Sequence, residues 1–270
     1  MKSLKLKIDG KVALLELDHG KANEMGSEQL RDFEELCGLA ESGEIRVLLT
    51  WSQRKSAKGA PIFISGANVT ERSGWTEDHI KEHVRWQRTL LNRLRHAPIF
   101  HIAIVNGVAL GWGTEYLLTC DYRIACPEAT LGLPETGLGI LPGAGGSAEL
   151  WALVGVGQAL RLGMTGERIG AEEAVRIGLV QELQPDLEAA MVRARRLIDL
   201  ILLRSPTAVA AYKGAVLAAV GRDPAERQAL EACAYEHCVD SGEAARGRAN
   251  FDAILKGSSP EWGPLRRWSP

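Results

Sequence analysis

Two glutamates set among glycines mark where this chain could do acid–base chemistry. Glu115 closes the segment Asn106-Gly107-Val108-Ala109-Leu110-Gly111-Trp112-Gly113-Thr114-Glu115. Glu135 lies in Gly132-Leu133-Pro134-Glu135-Thr136-Gly137-Leu138-Gly139-Ile140-Leu141-Pro142-Gly143-Ala144-Gly145-Gly146. Leu110, Trp112, Leu117, Leu133 and Leu138 surround them along the chain. A carboxyl in apolar surroundings keeps its proton to higher pH and can act as an acid, while a partner stays ionised. A third glycine segment is Phe63-Ile64-Ser65-Gly66-Ala67-Asn68. It follows an apolar stretch, as the 106–115 segment does. Glycine-rich turns at such places leave backbone N–H groups free to meet negative charge.

Other chemistries fit less well. A dinucleotide fingerprint fails, because Gly111-Trp112-Gly113 is followed by Thr114-Glu115-Tyr116, and no P-loop GK[ST] occurs. His79 and His83 sit four apart, but no HExxH forms and no metal site is expected. The five cysteines are odd in number and lack a CxxC. They read as reduced, buried or half-buried thiols.

The elements that must position the glutamates are legible in outline. Residues 4–17 predict a hairpin turning at Asp9-Gly10. Ser27 reads as the N-cap of a helix carrying Leu30, Phe33, Leu36 and Cys37. Strands are expected over 45–50, 61–64, 99–105 and 122–125, with a short one starting at Thr130. Helices are expected over 76–95 and 113–120, and mostly helix after Ala144. Alternating strands and helices imply an α/β fold with parallel sheet. The reading is a sheet-based core over 1–190 and a helical region over 191–270.

With these segments in order, the chain resembles the crotonase superfamily, the enoyl-CoA hydratase/isomerase family. Gly107-Val108-Ala109-Leu110-Gly111-x-Gly113-x-Glu115 is similar to the family's glycine-rich segment with its glutamate. Thr119 to Ala125 resembles the helix end and strand that follow. Pro134-Glu135-x-x-Leu138-Gly139-x-x-Pro142-Gly143-Ala144-Gly145-Gly146 is similar to the second motif. Leu162 to Ala174, with Gly178-Leu179-Val180, is similar to the third. The resemblance covers nearly the whole chain. It implies a ββα spiral core and a helical C-terminal region that drives trimerisation, as a homotrimer or dimer of trimers. It implies an acyl thioester of coenzyme A as ligand, with no metal or separate cofactor. Glu115 falls on the first catalytic glutamate and Glu135 on the second. Ser65 and Trp112 fall where backbone N–H groups form the oxyanion hole. Gly66, Ala67, Asn68, Gly111, Gly113, Pro134 and Gly143 fall among the substrate-lining positions. Chemistry beside a thioester builds charge on its oxygen, and each fixed donor there is worth about 2.7–4 kcal/mol.

The resemblance implies a lyase adding water to a 2-enoyl thioester, with Glu115 activating water and Glu135 shuttling the proton to the α-carbon. The same site would also suit isomerisation, C–C cleavage or decarboxylation on a CoA or carrier-protein thioester. A non-catalytic acyl-CoA-binding or RNA-binding relative is the reading from another class. Trp112 stands where the family usually has glycine. Its indole either narrows the acyl pocket, stacks on an aromatic acyl group, or packs between helix and sheet. Ser65-Gly66-Ala67-Asn68 replaces the more usual Ala-Gly-Ala-Asp. Lys55 and Lys58 lie on a loop that either approaches the CoA phosphates or is simply solvated. Lys256 and Phe251 are similar to residues that reach a neighbouring subunit's CoA. The aromatic and basic tail from Trp262 to Trp268 is expected to dock on a neighbouring subunit or stay unstructured.

Composition narrows the partners. Of 270 residues, 46% are hydrophobic and 24% charged, proportions of a globular chain rather than a disordered one. Thirty-two basic and 34 acidic residues leave a formal charge of −2, with no basic excess for a nucleic-acid backbone. No run of about 20 apolar residues occurs, so no membrane helix is expected. The alternating stretch Met1-Lys2-Ser3-Leu4-Lys5-Leu6-Lys7 has no apolar signal core. A cytoplasmic location is the expectation.

Overall fold

A computed structural model describes residues 1 and 3–270; Lys2, part of the alternating N-terminal stretch, lies outside the described residues. The chain opens with the hairpin β1 (Lys5–Asp9) and β2 (Val12–Leu17), paired antiparallel with Asp9 opposite Val12. Helix α1 (Ser27–Ser42) follows. Ser27 is its first residue rather than its cap, and Gly26 takes the cap position. The acceptor comes from far along the chain: the Glu71 carboxylate takes the Ser27 N–H at 3.0 and 3.1 Å.

Then come β3 (Val47–Ser52), β4 (Ile62–Ile64), a 3₁₀ turn over Thr70–Arg72 and α2 (Glu77–His96). Thr76 caps α2, its hydroxyl accepting from His79 N–H at 3.2 Å. The middle of the chain holds β5 (Phe100–Val105), β6 (Val108–Leu110), α3 (Trp112–Leu117), β7 (Tyr122–Ala125) and β8 (Thr130–Gly132). A 3₁₀ turn over Pro134–Leu138 leads to α4 (Gly146–Val154), α5 (Val156–Thr165), β9 (Arg168–Gly170), α6 (Ala171–Arg176) and β10 (Glu182–Leu183). The remainder is helical: α7 (Leu187–Leu202), α8 (Pro206–Ala219), α9 (Pro224–Asp240), α10 (Glu243–Ala249) and α11 (Phe251–Leu255).

Strands β3 to β8 are dealt alternately to two sheets. The larger sheet runs β1-β2-β3-β5-β7-β10 and the smaller β4-β6-β8-β9. Pairing is parallel throughout except in the β1–β2 and β8–β9 pairs. Each turn of the chain lays one strand in each sheet, which is a ββα spiral. Strands β6, β9 and β10 were not anticipated from the sequence. They are two or three residues long, too short for a periodic pattern, and exist because neighbouring strands pair with them.

The larger sheet is buried on both faces. Val47, Leu49, Ile102, Ile104 and Ile124 pack with Ala190, Ala194 and Ile198 of α7. Leu48, Ala103, Val105 and Ala125 belong to the other core, with Leu30, Phe33 and Leu36 of α1 and Leu90, Leu91 and Leu94 of α2. Alternate residues thus enter different cores, which explains the near-continuous apolar runs. The division expected at residue 190 falls inside α7, whose apolar stripe belongs to the sheet core.

The C-terminal tail folds back on its own chain, against the expectation of a neighbour or an unstructured end. Trp262 Nε1 donates to Leu203 O at 3.0 Å, and Arg266 N–H donates to Thr207 Oγ1 at 2.9 Å. The Trp268 ring lies against Gly214.

Candidate active site

The turn after β4 runs beside residues 22–25. Ser65 N–H donates to Ala22 O at 3.1 Å. Met25 N–H donates to Gly66 O and Asn68 N–H to Met25 O, both at 2.9 Å. In such a parallel bridge the bonds come from the residues flanking Ala67, so the N–H of Ala67 itself points away from Met25. Among the described residues it has no hydrogen-bond acceptor. The expectation for Ser65 is therefore corrected by one two-residue step: its amide is spent on Ala22, and Ala67 carries the free donor.

The second turn, after β6, enters α3. Gly111 has φ 53° and ψ −121°, a conformation that favours glycine, and its N–H donates to Gly132 O. Trp112 follows as the first residue of α3, where a helix leaves its N–H without an internal partner. The two amides lie on the same cleft, about 730 Å³ in volume, which Glu115 and Glu135 also line.

Glu115 is 3% exposed on α3. Its Oε1 accepts from Ala144 N–H at 2.7 Å and Gly146 N–H at 2.9 Å. Burial raises its pKa, and those two N–H groups pull the other way. The loop that supplies them is tied to α2, since Arg88 Nε donates to Gly143 O at 2.7 Å. Glu135 sits in the first turn of the 3₁₀ segment, directly over Gly111. A Cβ on Gly111 would stand 2.6 Å from Glu135 Oε1. Burial lifts the Glu135 pKa to about 7; its own N–H lowers it and the Glu115 charge adds to the rise. Its Oε2 is buried without a partner among the described residues. One carboxylate is thus clamped by amides and the other is poised to hold or release a proton near neutrality.

Of the expected lining positions, Gly66, Ala67, Gly111, Pro134 and Gly143 reach the cleft. Asn68 and Gly113 do not. Asn68 Oδ1 accepts from Thr70 Oγ1 at 2.6 Å and from Glu71 N–H at 3.3 Å, so it shapes the 3₁₀ turn. Gly113 lets α3 approach β4, because any Cβ would collide with the Ile64 carbonyl oxygen.

The Trp112 indole takes the third of its three readings and packs inward. It stacks on Tyr116 at 5.8 Å between ring centroids and meets Phe33 edge-on at 5.4 Å. Lys55 and Lys58 are exposed and lie off the cleft, as do Lys256 and the 60% exposed Phe251. His79 stacks on Trp75, and His83 Nε2 lies 3.5 Å from Glu71 Oε1. Among the described residues no group of three or more His, Cys, Asp or Glu could hold a metal ion. All five cysteines are free; Cys233 is exposed, against the expectation of burial.

Sequence reading missed Ala67 as donor, and also Arg72 and Gln87, which line the cleft from the 3₁₀ turn and from α2. Helical spacing gave no signal for Gln87, which is polar on a buried face.

A two-sheet spiral with a helical C-terminal region and paired cleft carboxylates defines a crotonase-type fold. The enoyl-CoA hydratase from Bacillus anthracis superposes with a TM-score of 0.87 at 31% identity, covering 97% of this chain and 99% of that one. Residues 56–259 match the family described as Enoyl-CoA hydratase/isomerase, and the chain belongs to that family, within the crotonase superfamily. It is similar to the short-chain-enoyl-CoA hydratase of Clostridium acetobutylicum, 34% identical over 239 residues, 87% of this chain and 89% of that protein. It is also similar to the human mitochondrial enoyl-CoA hydratase domain-containing protein 2, 37% identical over 221 residues, 81% of this chain and 74% of that protein.

Proposed function

We propose that the protein hydrates a 2-enoyl-CoA thioester reversibly. The observation that carries this is one cleft holding both carboxylates and two backbone donors, the N–H groups of Ala67 and Trp112. The thioester oxygen sits between those amides and the double bond lies toward the glutamates. A water held by Glu115 gives its proton to that carboxylate as its oxygen bonds to the β-carbon. The pair of electrons moves through the α-carbon onto the thioester oxygen, where the two amides meet the growing charge. Glu135, carrying a proton near neutrality, delivers it to the α-carbon. Proton exchange between the carboxyls then restores the starting state, and the two titrate as a pair. Dehydration is the same path in reverse. Coenzyme A enters as part of the substrate.

Assembly as a trimer and a cytoplasmic location belong to the same proposal. Tyr212 and Val216 on α8 and Tyr235 on α9 are exposed apolar residues suited to an interface.

The test is the loss of enoyl-thioester absorbance on adding enzyme to 2-enoyl-CoAs of several lengths. Wild type should discharge at least one of them to the hydroxyacyl product. Glu115→Gln and Glu135→Gln should each lower kcat by about 10²–10⁴, the usual worth of general acid–base catalysis. Full activity in both variants would refute the assignment, and a shifted double bond in place of the hydroxyl product would make the enzyme an isomerase.

A further inference from the structure

Five buried side-chain polar atoms have no partner among the described residues, and three of them belong to residues lining the active cleft: Arg72 Nε, Trp112 Nε1 and Glu135 Oε2. Glu135 is accounted for by proton transfer, and the Trp112 ring by its packing. Arg72 is not accounted for. Its side chain is half-buried on the 3₁₀ turn between β4 and α2, and its buried Nε has no hydrogen-bond partner among the described residues. The adjacent carboxylate does not serve it, because Glu71 is turned to the Ser27 N–H and to His83. Burial lowers the Arg72 pKa, opposed by the Glu71 charge. A half-buried guanidinium whose buried Nε–H has no acceptor is costly to the fold, and it is most simply retained where a ligand supplies the acceptor.

The walls around Arg72 indicate which anion. Val69, Ile80 and Val84 line the same cleft and suit a carbon chain. Of the other cations there, Lys81 pairs with Asp78 at 3.1 Å, Arg88 donates to Gly143 O, and Arg85 is exposed to solvent, which leaves Arg72 as the half-buried one. Coenzyme A phosphates are separated from the thioester by the whole pantetheine arm, whereas an acyl carboxylate is only a few bonds away. Arginine suits a carboxylate because its planar fork matches two oxygens at once.

We propose that the acyl group carries a carboxylate at its far end, seated on Arg72, so that the substrate is the mono-thioester of an unsaturated dicarboxylic acid. This rests on the hydratase reading for the word "unsaturated" alone; the carboxylate seat is independent of it. Arg72 is then a specificity residue, reading the acyl end while Glu115 and Glu135 work at the double bond.

Saturated thioesters test the seat without turnover. Dissociation constants are measured by calorimetry for matched pairs: succinyl- against butyryl-CoA, glutaryl- against pentanoyl-CoA, adipoyl- against hexanoyl-CoA. The expected result is at least tenfold tighter binding of the carboxylated member in one or more pairs. Arg72→Met should collapse that ratio toward one, and Arg72→Lys should restore part of it. Far-ultraviolet circular dichroism confirms that the variants fold. Equal affinities within every pair in wild type would overturn the proposal. So would an Arg72→Met variant that weakens free coenzyme A and both pair members alike, since Arg72 would then hold a CoA phosphate. If the binding preference holds but no enoyl thioester is hydrated, the hydratase reading fails and the carboxylate seat stands.

Discussion

Replacing Glu135 by glutamine should stabilise the protein increasingly as pH rises, whatever the reaction proves to be. Glu135 has an ordinary value of 4.5 and is lifted to about 7 in the fold, chiefly by burial. A carboxyl with a raised folded pKa binds its proton more tightly in the native state than in the unfolded one. The fold therefore carries no penalty from it below pH 4.5, a growing penalty between 4.5 and about 7, and the full penalty above. At about 1.4 kcal/mol per pH unit, that interval corresponds to about 3.4 kcal/mol for a group shielded from water. Glu135 is only half-buried, and solvent screening brings the expectation to about 1–2 kcal/mol. Glutamine keeps the shape and never ionises, so it removes this one contribution and leaves those of the other titrating groups common to both proteins. The assay is urea unfolding of both proteins at pH 5 and pH 8.5, at one protomer concentration because assembly also contributes to apparent stability. Wild type should fall behind Glu135→Gln by about 1–2 kcal/mol between the two pH values. Parallel stability profiles would refute the claim that burial holds this carboxyl near neutrality.

Two further substitutions separate fold from site. Gly113→Ala places a Cβ against the Ile64 carbonyl, where neither backbone can yield cheaply; a loss of about 1–3 kcal/mol is expected in thermal or urea unfolding. Gly111→Ala meets both the positive φ and Glu135 Oε1, so it should cost about 1–3 kcal/mol in stability and, by displacing the carboxyl and the Trp112 amide, lower kcat/KM by at least tenfold. Unchanged kcat/KM in Gly111→Ala would separate this turn from the chemistry.

Much of this was open to sequence reading because some signals are local. The strand over Tyr122–Ala125 matches in full, and the one begun at Thr130 ends at Gly132, each bounded by turn residues. Thr76 caps α2 as a threonine before an amphipathic run should. Glu115 and Glu135 stood out because carboxylates are rare among so many glycines and leucines, and the structure brings both to one cleft. Other features had no local signal. The acceptor at the start of α1 is Glu71, 44 residues away, so the nearby serine was the natural but mistaken cap. The tail docks through Leu203 and Thr207, contacts that no property of Trp262 or Arg266 foretells.

Residue type and order by themselves determined the family, the parallel α/β character and the two carboxylates, because glycine, proline and acidic side chains act through chemistry written in their own atoms. Tertiary structure decided the rest. Which amide of the turn after β4 is left free depends on the parity of a strand bridge between Met25 and Ala67, and a backbone N–H looks the same in every residue of the sequence. Whether Trp112 lines a pocket with its ring or fills the core depends on Phe33 and Tyr116 being there to receive it. That the buried Arg72 Nε finds no acceptor among the described residues depends on Glu71 being engaged by a helix brought beside it only by folding.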